Sequence, residues 1–207
     1  MDIRFLFLSA AISSLAITPA VAQAATCDDP IIAQKIFDRR AKKGPMPTAH
    51  ARIINIQLGA DDLSRVQQDL GESEPLARQE HAPVRVCYTS LEPDGPVILF
   101  EAGALGGWRR LTAFCVVTGP DAAVMRSHCK ATSKITSELM TDGGLRAGQT
   151  LAKTRAMLGK PTLTKTGKDN YWFSTRTPQN ADLTEYIGIS RLGEKVVGFK
   201  VSRVESN

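Results

Sequence analysis

Several signatures of catalysis are missing from this chain. It has no Cys-x-x-Cys pair, no Gly-x-Ser-x-Gly turn and no glycine-rich phosphate loop, which excludes the common redox, hydrolase and nucleotide-binding motifs. Its three histidines, His50, His81 and His128, are far apart, and none has a second His or Cys at metal-ligand spacing. We therefore predict ordinary surface histidines, no metal, no cofactor and a protein that is not an enzyme.

Long apolar segments are also scarce. After residues 5–17, a short apolar stretch broken by serines, no segment approaches the roughly 20 residues that a membrane-spanning helix needs. Arg4 precedes this stretch, and a proline and small residues follow it, so we predict that residues 1–24 are a cleavable signal peptide. The absence of an Asn-x-Ser/Thr sequon slightly favours a bacterial periplasm. We predict a periplasmic or secreted protein.

The four cysteines all follow the predicted signal peptide: Cys27, Cys87, Cys115 and Cys129. An even number in an oxidising compartment favours two disulfides. Cys115 and Cys129 flank a predicted turn at residues 119–121, so a bond across a hairpin is expected there, which leaves Cys27 with Cys87. A bond between Cys87 and Cys115 on neighbouring strands is the alternative.

Charge is unevenly distributed within the total of +5. Residues 126–207 hold 14 Lys and Arg against seven Asp and Glu, whereas residues 25–125 hold 11 against 13. A basic surface outside the cytoplasm can contact anionic lipid, a cell-wall polymer or an acidic protein. The alternative is a solvated surface without a partner. Nucleic acid is not an expected partner in this compartment.

Two segments of the chain are similar to each other. Residues 61–71 align with residues 149–159 at an offset of 88, with Leu63 on Leu151 and Leu70-Gly71 on Leu158-Gly159. Each segment predicts a short amphipathic helix with Asp62 or Thr150 as its N-cap and a glycine at its C-terminal end.

Strand-like runs bounded by turn-forming residues surround these helices. They cover residues 52–57, 84–89, 97–101 and 108–117 in the first half, and 134–138, 170–174, 184–190 and 195–204 in the second. We therefore predict an α+β fold of two tandem units, residues 25–130 and 131–207, each a short helix packed on an antiparallel sheet. An extra N-terminal helix is predicted to begin near Pro30 and end near Lys43-Gly44.

A motif in the second unit resembles two known families. Residues 144–150, Gly-Leu-Arg-Ala-Gly-Gln-Thr, and residues 156–161, Ala-Met-Leu-Gly-Lys-Pro, are similar to the secreted β-lactamase inhibitor protein family and to the SmpA/OmlA family of small outer-membrane assembly lipoproteins. The first copy departs from the motif, with Ala60 before its helix and Glu72 after it. The resemblance implies a small α+β unit, repeated in tandem in the inhibitors, that presents a sheet or loops to a partner.

Four residues are candidates for contact with a partner. Trp108, Arg109 and Arg110 follow a glycine-rich turn whose counterpart in the second unit has no aromatic residue, and Trp and Arg are enriched at interface hot spots. Trp172 points to the opposite face of its strand from Tyr171 and Phe173. The structural alternatives are that Trp108 covers a sheet end and that Trp172 packs in the core.

These features together predict an exported, non-enzymatic protein-binding protein. A steric inhibitor or immunity protein, acting on an envelope or foreign enzyme, is one form of this role. The alternative is an envelope assembly or scaffold protein that associates with the outer membrane or cell wall through its basic second unit. A hydrolase with an unrecognised site is a third class.

Overall fold

A computed structural model describes residues 27, 37, 39–76, 83–103, 110–176 and 182–206. The predicted signal peptide and most of the predicted N-terminal helix lie outside the described residues. Three α-helices are described: α1 Leu63–Leu70, α2 Pro120–Arg126 and α3 Leu151–Leu158, with a short 3-10 helix at Thr48–Ala51. The strands are β1 Lys42–Lys43, β2 Arg52–Ile53, β3 Ile56–Gln57, β4 Val84–Ser90, β5 Val97–Ala102, β6 Leu111–Val117, β7 Lys130–Thr132, β8 Leu163–Lys165, β9 Lys168–Arg176, β10 Asp182–Leu192 and β11 Lys195–Ser206.

Nine of these strands form one mixed sheet. Its order is β1-β9-β10-β11-β6-β5-β4-β7, and β8 also pairs with β9. The two meanders, β4-β5-β6 and β9-β10-β11, join through antiparallel pairing of β11 with β6, where Lys200 lies opposite Cys115. The short strands β1 and β7 pair in parallel with β9 and β4. The sheet is therefore continuous from one half of the chain to the other.

The predicted fold class is wrong. Strand accounts for 46% and helix for 20% of the described residues. One large sheet replaces the predicted arrangement of two tandem helix-on-sheet units with an extra N-terminal helix. The physical reason is the pairing of β6 with β11, which leaves neither meander as a separate sheet. Within the segment predicted as that N-terminal helix, Lys42–Lys43 form strand β1 beside β9.

The two short helices that the sequence predicted are present. The Asp62 side chain accepts a hydrogen bond from the N–H of Arg65 at the start of α1. Thr150 caps α3 in the same way, accepting from the N–H of Lys153. Gly71 and Gly159 follow these helices at φ of 94° and 75°, backbone angles that glycine adopts without a steric penalty.

One apolar core covers one face of the whole sheet. Tyr88, Phe100, Phe114 and Phe199, from four adjacent strands, contact in sequence with ring centroids 6.3–6.5 Å apart. This row crosses the β6–β11 boundary, so the two halves share their interior. Helices α1 and α3 both add buried leucines to the same core. We therefore attribute the stability of the sheet to joint burial of its halves.

The two disulfides that the sequence predicted are present and cover the other face of β4–β6. Both predicted pairings are wrong. The bonds join Cys27 to Cys115 and Cys87 to Cys129. Strand β7 pairs with β4, which brings Cys129 beside Cys87. Cys115 lies two strands away from Cys87 with Leu99 between them, about 10 Å, which is too far for the alternative bond.

Helix α2 packs on this disulfide-bonded face. Ala122 and Met125 join a small buried cluster with both cystine bridges and the neighbouring valines and leucine of the sheet. The sequence predicted a tight turn at residues 119–121 instead. Gly119 at φ 67° begins the helix, and Pro120 occupies its first turn, where a missing N–H breaks no helical hydrogen bond.

Two predicted strands are also wrong. Residues 52–57 form a hairpin of two-residue strands, turning through Ile54 and Asn55 at φ of 52° and 61°. Positive φ is rare for a β-branched residue such as Ile54, so the sequence does not predict a turn at this position. Residues 134–138 form turns outside the sheet. No helix among the described residues is long and apolar enough to cross a membrane.

Candidate functional site

A basic cavity of about 1070 Å³ lies at the β9 edge of the sheet. Strand β8 occupies one part of this edge and β1 another, with Leu163 opposite Asn170 and Lys42 opposite Phe173. Along the same edge, the backbone N–H of Trp172 donates a hydrogen bond to the Thr162 hydroxyl oxygen, with an N–O distance of 3.1 Å. Four cations line the cavity: Arg40, Lys42, Arg155 and Lys160. The remaining lining residues are uncharged: Gly159, Pro161, Thr162, Leu163 and Thr164.

Lys42 is the most enclosed of these cations. Its Nζ donates to the carbonyl of Leu158, the last residue of α3, where a cation complements the helix dipole. The same Nζ lies 5.2 Å from the centroid of the Tyr171 ring and 5.4 Å from that of Phe173, within cation–π range. Burial lowers the pKa of Lys42. This ammonium is therefore held in place before any ligand arrives.

Arg155 is fixed by a buried carboxylate. Its Nε and one terminal nitrogen donate to Asp169 Oδ2 at 3.1 and 2.7 Å. The Asp169 side chain is 0% exposed, and Arg191 Nε lies 3.8 Å from its other oxygen. Hydrogen bonding to Asp169, and then its charge, raise the pKa of Arg155. Burial, and then the charge of Asp169, raise the pKa of the neighbouring Tyr171 to about 12.

Arg40 and Lys160 complete the basic lining and are exposed. Neither forms an ion pair with a residue in the described part of the chain. Asp169 does not neutralise them, because it is buried and already faces Arg155 and Arg191. The cavity therefore carries a strong positive charge, which suits it to hold an anion through charge-assisted hydrogen bonds.

Two of the four predicted contact residues, Arg110 and Trp172, are described, and neither lines this cavity. Trp108 and Arg109 lie outside the described residues. Arg110 is exposed and lies just before β6, where its backbone forms an isolated antiparallel β-bridge with Asp62. Trp172 lies on β9, three strand spacings from β6, or about 14 Å. The role of these four residues in binding stays a prediction.

Trp172 belongs to an aromatic cluster on the outer face of β9 and β10. Its ring centroid lies 4.5 Å from that of Tyr186 and 5.8 Å from that of Phe37. Tyr171 and Phe173 are buried in the core on the opposite face, as strand alternation predicted. The Tyr186 hydroxyl donates to Asn170 Oδ1 at 2.7 Å. Packing therefore accounts for much of the Trp172 surface.

The histidines give no catalytic arrangement among the residues that are described. His128 is exposed, as predicted. His50 is 4% exposed, so its predicted surface position is wrong. Its ring lies against Gly143, which has no Cβ to collide with it, and its Nδ1 lies 3.4 Å from Thr141 Oγ1. No cluster of three His, Cys, Asp or Glu is placed to hold a metal in the described ranges.

Sequence reasoning missed the cavity because its cations are separated by up to 120 residues. Arg40 and Lys42 lie in the segment that was predicted as the N-terminal helix. The positive charge of residues 126–207 was the available signal, since it includes Arg155 and Lys160. That signal gives the sign of a surface charge and no location for it.

Comparisons with protein-family profiles, curated proteins and solved structures find no match. The resemblance of residues 144–161 to the β-lactamase inhibitor and SmpA/OmlA families therefore stays a prediction.

Proposed function

We propose that this is an exported binding protein that attaches to an anionic component of the cell envelope through the basic cavity. The observation that carries the proposal is the set of four cations around one cavity. The described carboxylates that act on Arg155 are Asp169, which is buried and already paired, and the exposed Glu194. The two disulfides support an oxidising compartment outside the cytoplasm.

The arrangement favours binding of an anion for two reasons. Lys42 and Arg155 are already oriented by Leu158 and Asp169, so less side-chain entropy is lost when a ligand binds. Lys42 is also half-buried, and partly buried charges are screened less by salt than exposed ones. Arg40 and Lys160 add attraction at the surface, where salt weakens it.

The test compares two double variants that remove equal charge. Arg40→Gln with Lys160→Gln removes two exposed cavity cations, while Lys130→Gln with Lys195→Gln removes two exposed cations from β7 and β11. Purified mature protein is sedimented with envelope fragments from the producing cells over a range of salt concentrations. We expect the cavity variant to bind about tenfold more weakly, a loss of about 1.4 kcal/mol, and the control variant to change less than about twofold.

Equal sedimentation of both variants would remove the cavity from the proposal. In that case, the predicted protein partner would become the better account. It is tested by capture from envelope extract with wild-type protein and Trp108→Ala, since the prediction requires one dominant partner that the variant loses.

A further inference from the structure

We propose that the group bound in the basic cavity is a phosphomonoester, carried on a polyol or sugar of an envelope component. This inference rests on the proposed function and deepens it, because it names the chemical class of the anion. Two features of the cavity favour a phosphomonoester over a carboxylate, namely the direction of its cations and their number. The volume of the cavity indicates that the phosphate is attached to a carrier.

The cations approach the cavity from separate parts of the fold. Lys42 comes from β1, Arg155 from the last turn of α3, Lys160 from the segment after this helix, and Arg40 from the residues before β1. A carboxylate presents two oxygens in one plane and is well matched by a single guanidinium fork. A tetrahedral phosphate presents three peripheral oxygens, so it suits donors that converge from several directions.

The charge of the lining also favours a dianion. Among the described residues, Asp169 faces Arg155 and Arg191 together, and Glu194 adds a second negative charge near Arg155. The cations Arg40, Lys42 and Lys160 remain in excess of these two carboxylates. A monoanionic carboxylate or sulfate ester therefore leaves more uncompensated positive charge than a phosphomonoester, which carries about −1.5 to −2 at neutral pH.

The lining also offers a neutral hydrogen-bond donor. The Thr162 hydroxyl oxygen accepts from the Trp172 N–H, so its own proton is available to donate to an oxyanion. Thr162 thus adds a hydroxyl donor to the cations that line the cavity.

The volume of the cavity indicates a carrier as well as the phosphate. At about 1070 Å³ it is slightly larger than the usual range of about 300–1,000 Å³ for small-molecule sites. Pro161 and Leu163 add apolar wall between the polar groups. A sugar or polyol matches a wall of this mixed character, since it has apolar C–H faces and hydroxyl groups.

The experiment is a titration with four sugars that differ at one position: glucose 6-phosphate, glucose 6-sulfate, glucuronate and glucose. Calorimetry measures each dissociation constant at about pH 7.5 and about 0.15 M salt. We expect glucose 6-phosphate to bind at least about tenfold more tightly than the sulfate or glucuronate, and glucose to show no measurable binding. Equal affinity for the three anions, or no binding by any of them, would overturn the inference.

A titration at lower pH separates the effect of the ligand's charge on affinity from the effect of its shape. The second pKa of a phosphomonoester is about 6, so we expect its affinity to fall towards that of the sulfate near pH 5.5, while the sulfate changes little. The charged groups that face the ligand are Arg40, Lys42, Arg155 and Lys160, with Asp169 and Arg191 behind Arg155 and the exposed Glu194 near it. No histidine in the described part of the chain lines the cavity. A parallel decline for both ligands would contradict the inference.

Variants locate the binding. Lys42→Met removes the ammonium and keeps an unbranched side chain, and we expect it to weaken glucose 6-phosphate binding at least about tenfold. Arg40→Gln changes an exposed residue and keeps the test valid if Lys42→Met fails to fold. Lys130→Met is the matched control. Unchanged affinity in Arg40→Gln and in folded Lys42→Met would overturn the site.

Failure of this inference is distinct from failure of the proposed function. If envelope sedimentation depends on Arg40 and Lys160 but excess glucose 6-phosphate does not compete, the cavity binds another anion and only the inference is wrong. If glucose 6-phosphate binds and the cavity variant still sediments normally, the phosphate site stands and the attachment proposal is wrong.

Discussion

Replacement of Gly188 by alanine tests how the outer face of β10 is built. The Tyr186 ring lies directly over this glycine, and a Cβ there would lie 2.6 Å from Tyr186 Cζ and 2.8 Å from its Cε1. Real Cβ contacts are not this short, so the ring must move. The movement strains the 2.7 Å hydrogen bond from the Tyr186 hydroxyl to Asn170 and the contact with Trp172.

Opposing terms set the magnitude of this effect. Overpacking a well-packed site destabilises by about 1–3 kcal/mol, and loss of a buried hydrogen bond adds about 0.5–1.5 kcal/mol. Alanine recovers about 0.5–1 kcal/mol of backbone entropy relative to glycine in a strand. We expect Gly188→Ala to lower the free energy of unfolding by about 2–3 kcal/mol, or the Tm by about 4–12 °C for a domain of this size.

The assay is denaturant unfolding with the disulfides intact, followed by circular dichroism and by tryptophan fluorescence. Gly103→Ala is the control, since its Cβ would lie 3.3 Å from Thr112 Oγ1, and we expect it to cost less than about 1 kcal/mol. In a Tyr186→Val background, Gly188→Ala should cost less than about 1 kcal/mol, because the ring is gone. The same cost in both backgrounds would refute the reasoning.

Further predictions concern an arginine, a histidine and the disulfides. Arg126 donates to Thr89 Oγ1 and to three carbonyls of the turn at residues 90–95. Arg126→Lys should therefore lower the free energy of unfolding, measured by calorimetry, by about 1–3 kcal/mol, whereas the control Lys130→Gln should leave it unchanged. Burial lowers the pKa of His50, so the contribution of its neutral ring to stability is present above about pH 6.5 and is lost as the pH falls through the pKa of His50 in the folded state. Between about pH 7.5 and 5, the free energy of unfolding should therefore fall less in His50→Gln than in the wild type. An identical dependence of stability on pH in the two proteins would contradict this. Peptide mapping should find the Cys27–Cys115 and Cys87–Cys129 bonds, whose sequence separations are 88 and 42. Replacement of either cystine by a pair of serines should lower the free energy of unfolding, by about 4–5 kcal/mol for the first bond and about 4 kcal/mol for the second.

Local signals in the sequence were enough to find α1, α3 and the long strands. Asp62 and Thr150 act as N-caps at the predicted positions, because capping depends on residues three positions apart. The prediction of two separate sheets failed because pairing of β6 with β11 joins residues about 85 positions apart, and neither strand carries a local signal for its neighbour. The cystine pairing failed for the same reason, since it depends on β7 lying beside β4.

The candidate site was less accessible to sequence reasoning. Each of its cations has an ordinary local explanation, such as a helix C-terminus for Lys42 or a solvated surface for Lys160. Only the approach of β1 and the end of α3 to the β9 edge brings Arg40, Lys42 and Arg155 to one cavity. Asp169 carries the clearest signal in the structure, because a fully buried carboxylate must have cationic or hydrogen-bonding partners.

The central position of β11 has a consequence for how the chain reaches its folded state. The last strand of the described chain pairs with β6 and β10, in the middle of the sheet. Until this strand has been synthesised, β6 keeps an unpaired edge next to the aromatic row of the core, and such edges promote aggregation. Chains truncated before residue 195 should therefore depend strongly on chaperones, whereas the full-length protein has both edges closed by short strands. Because synthesis proceeds from the N-terminus, the nascent chain is most prone to aggregation in the interval before β11 is complete.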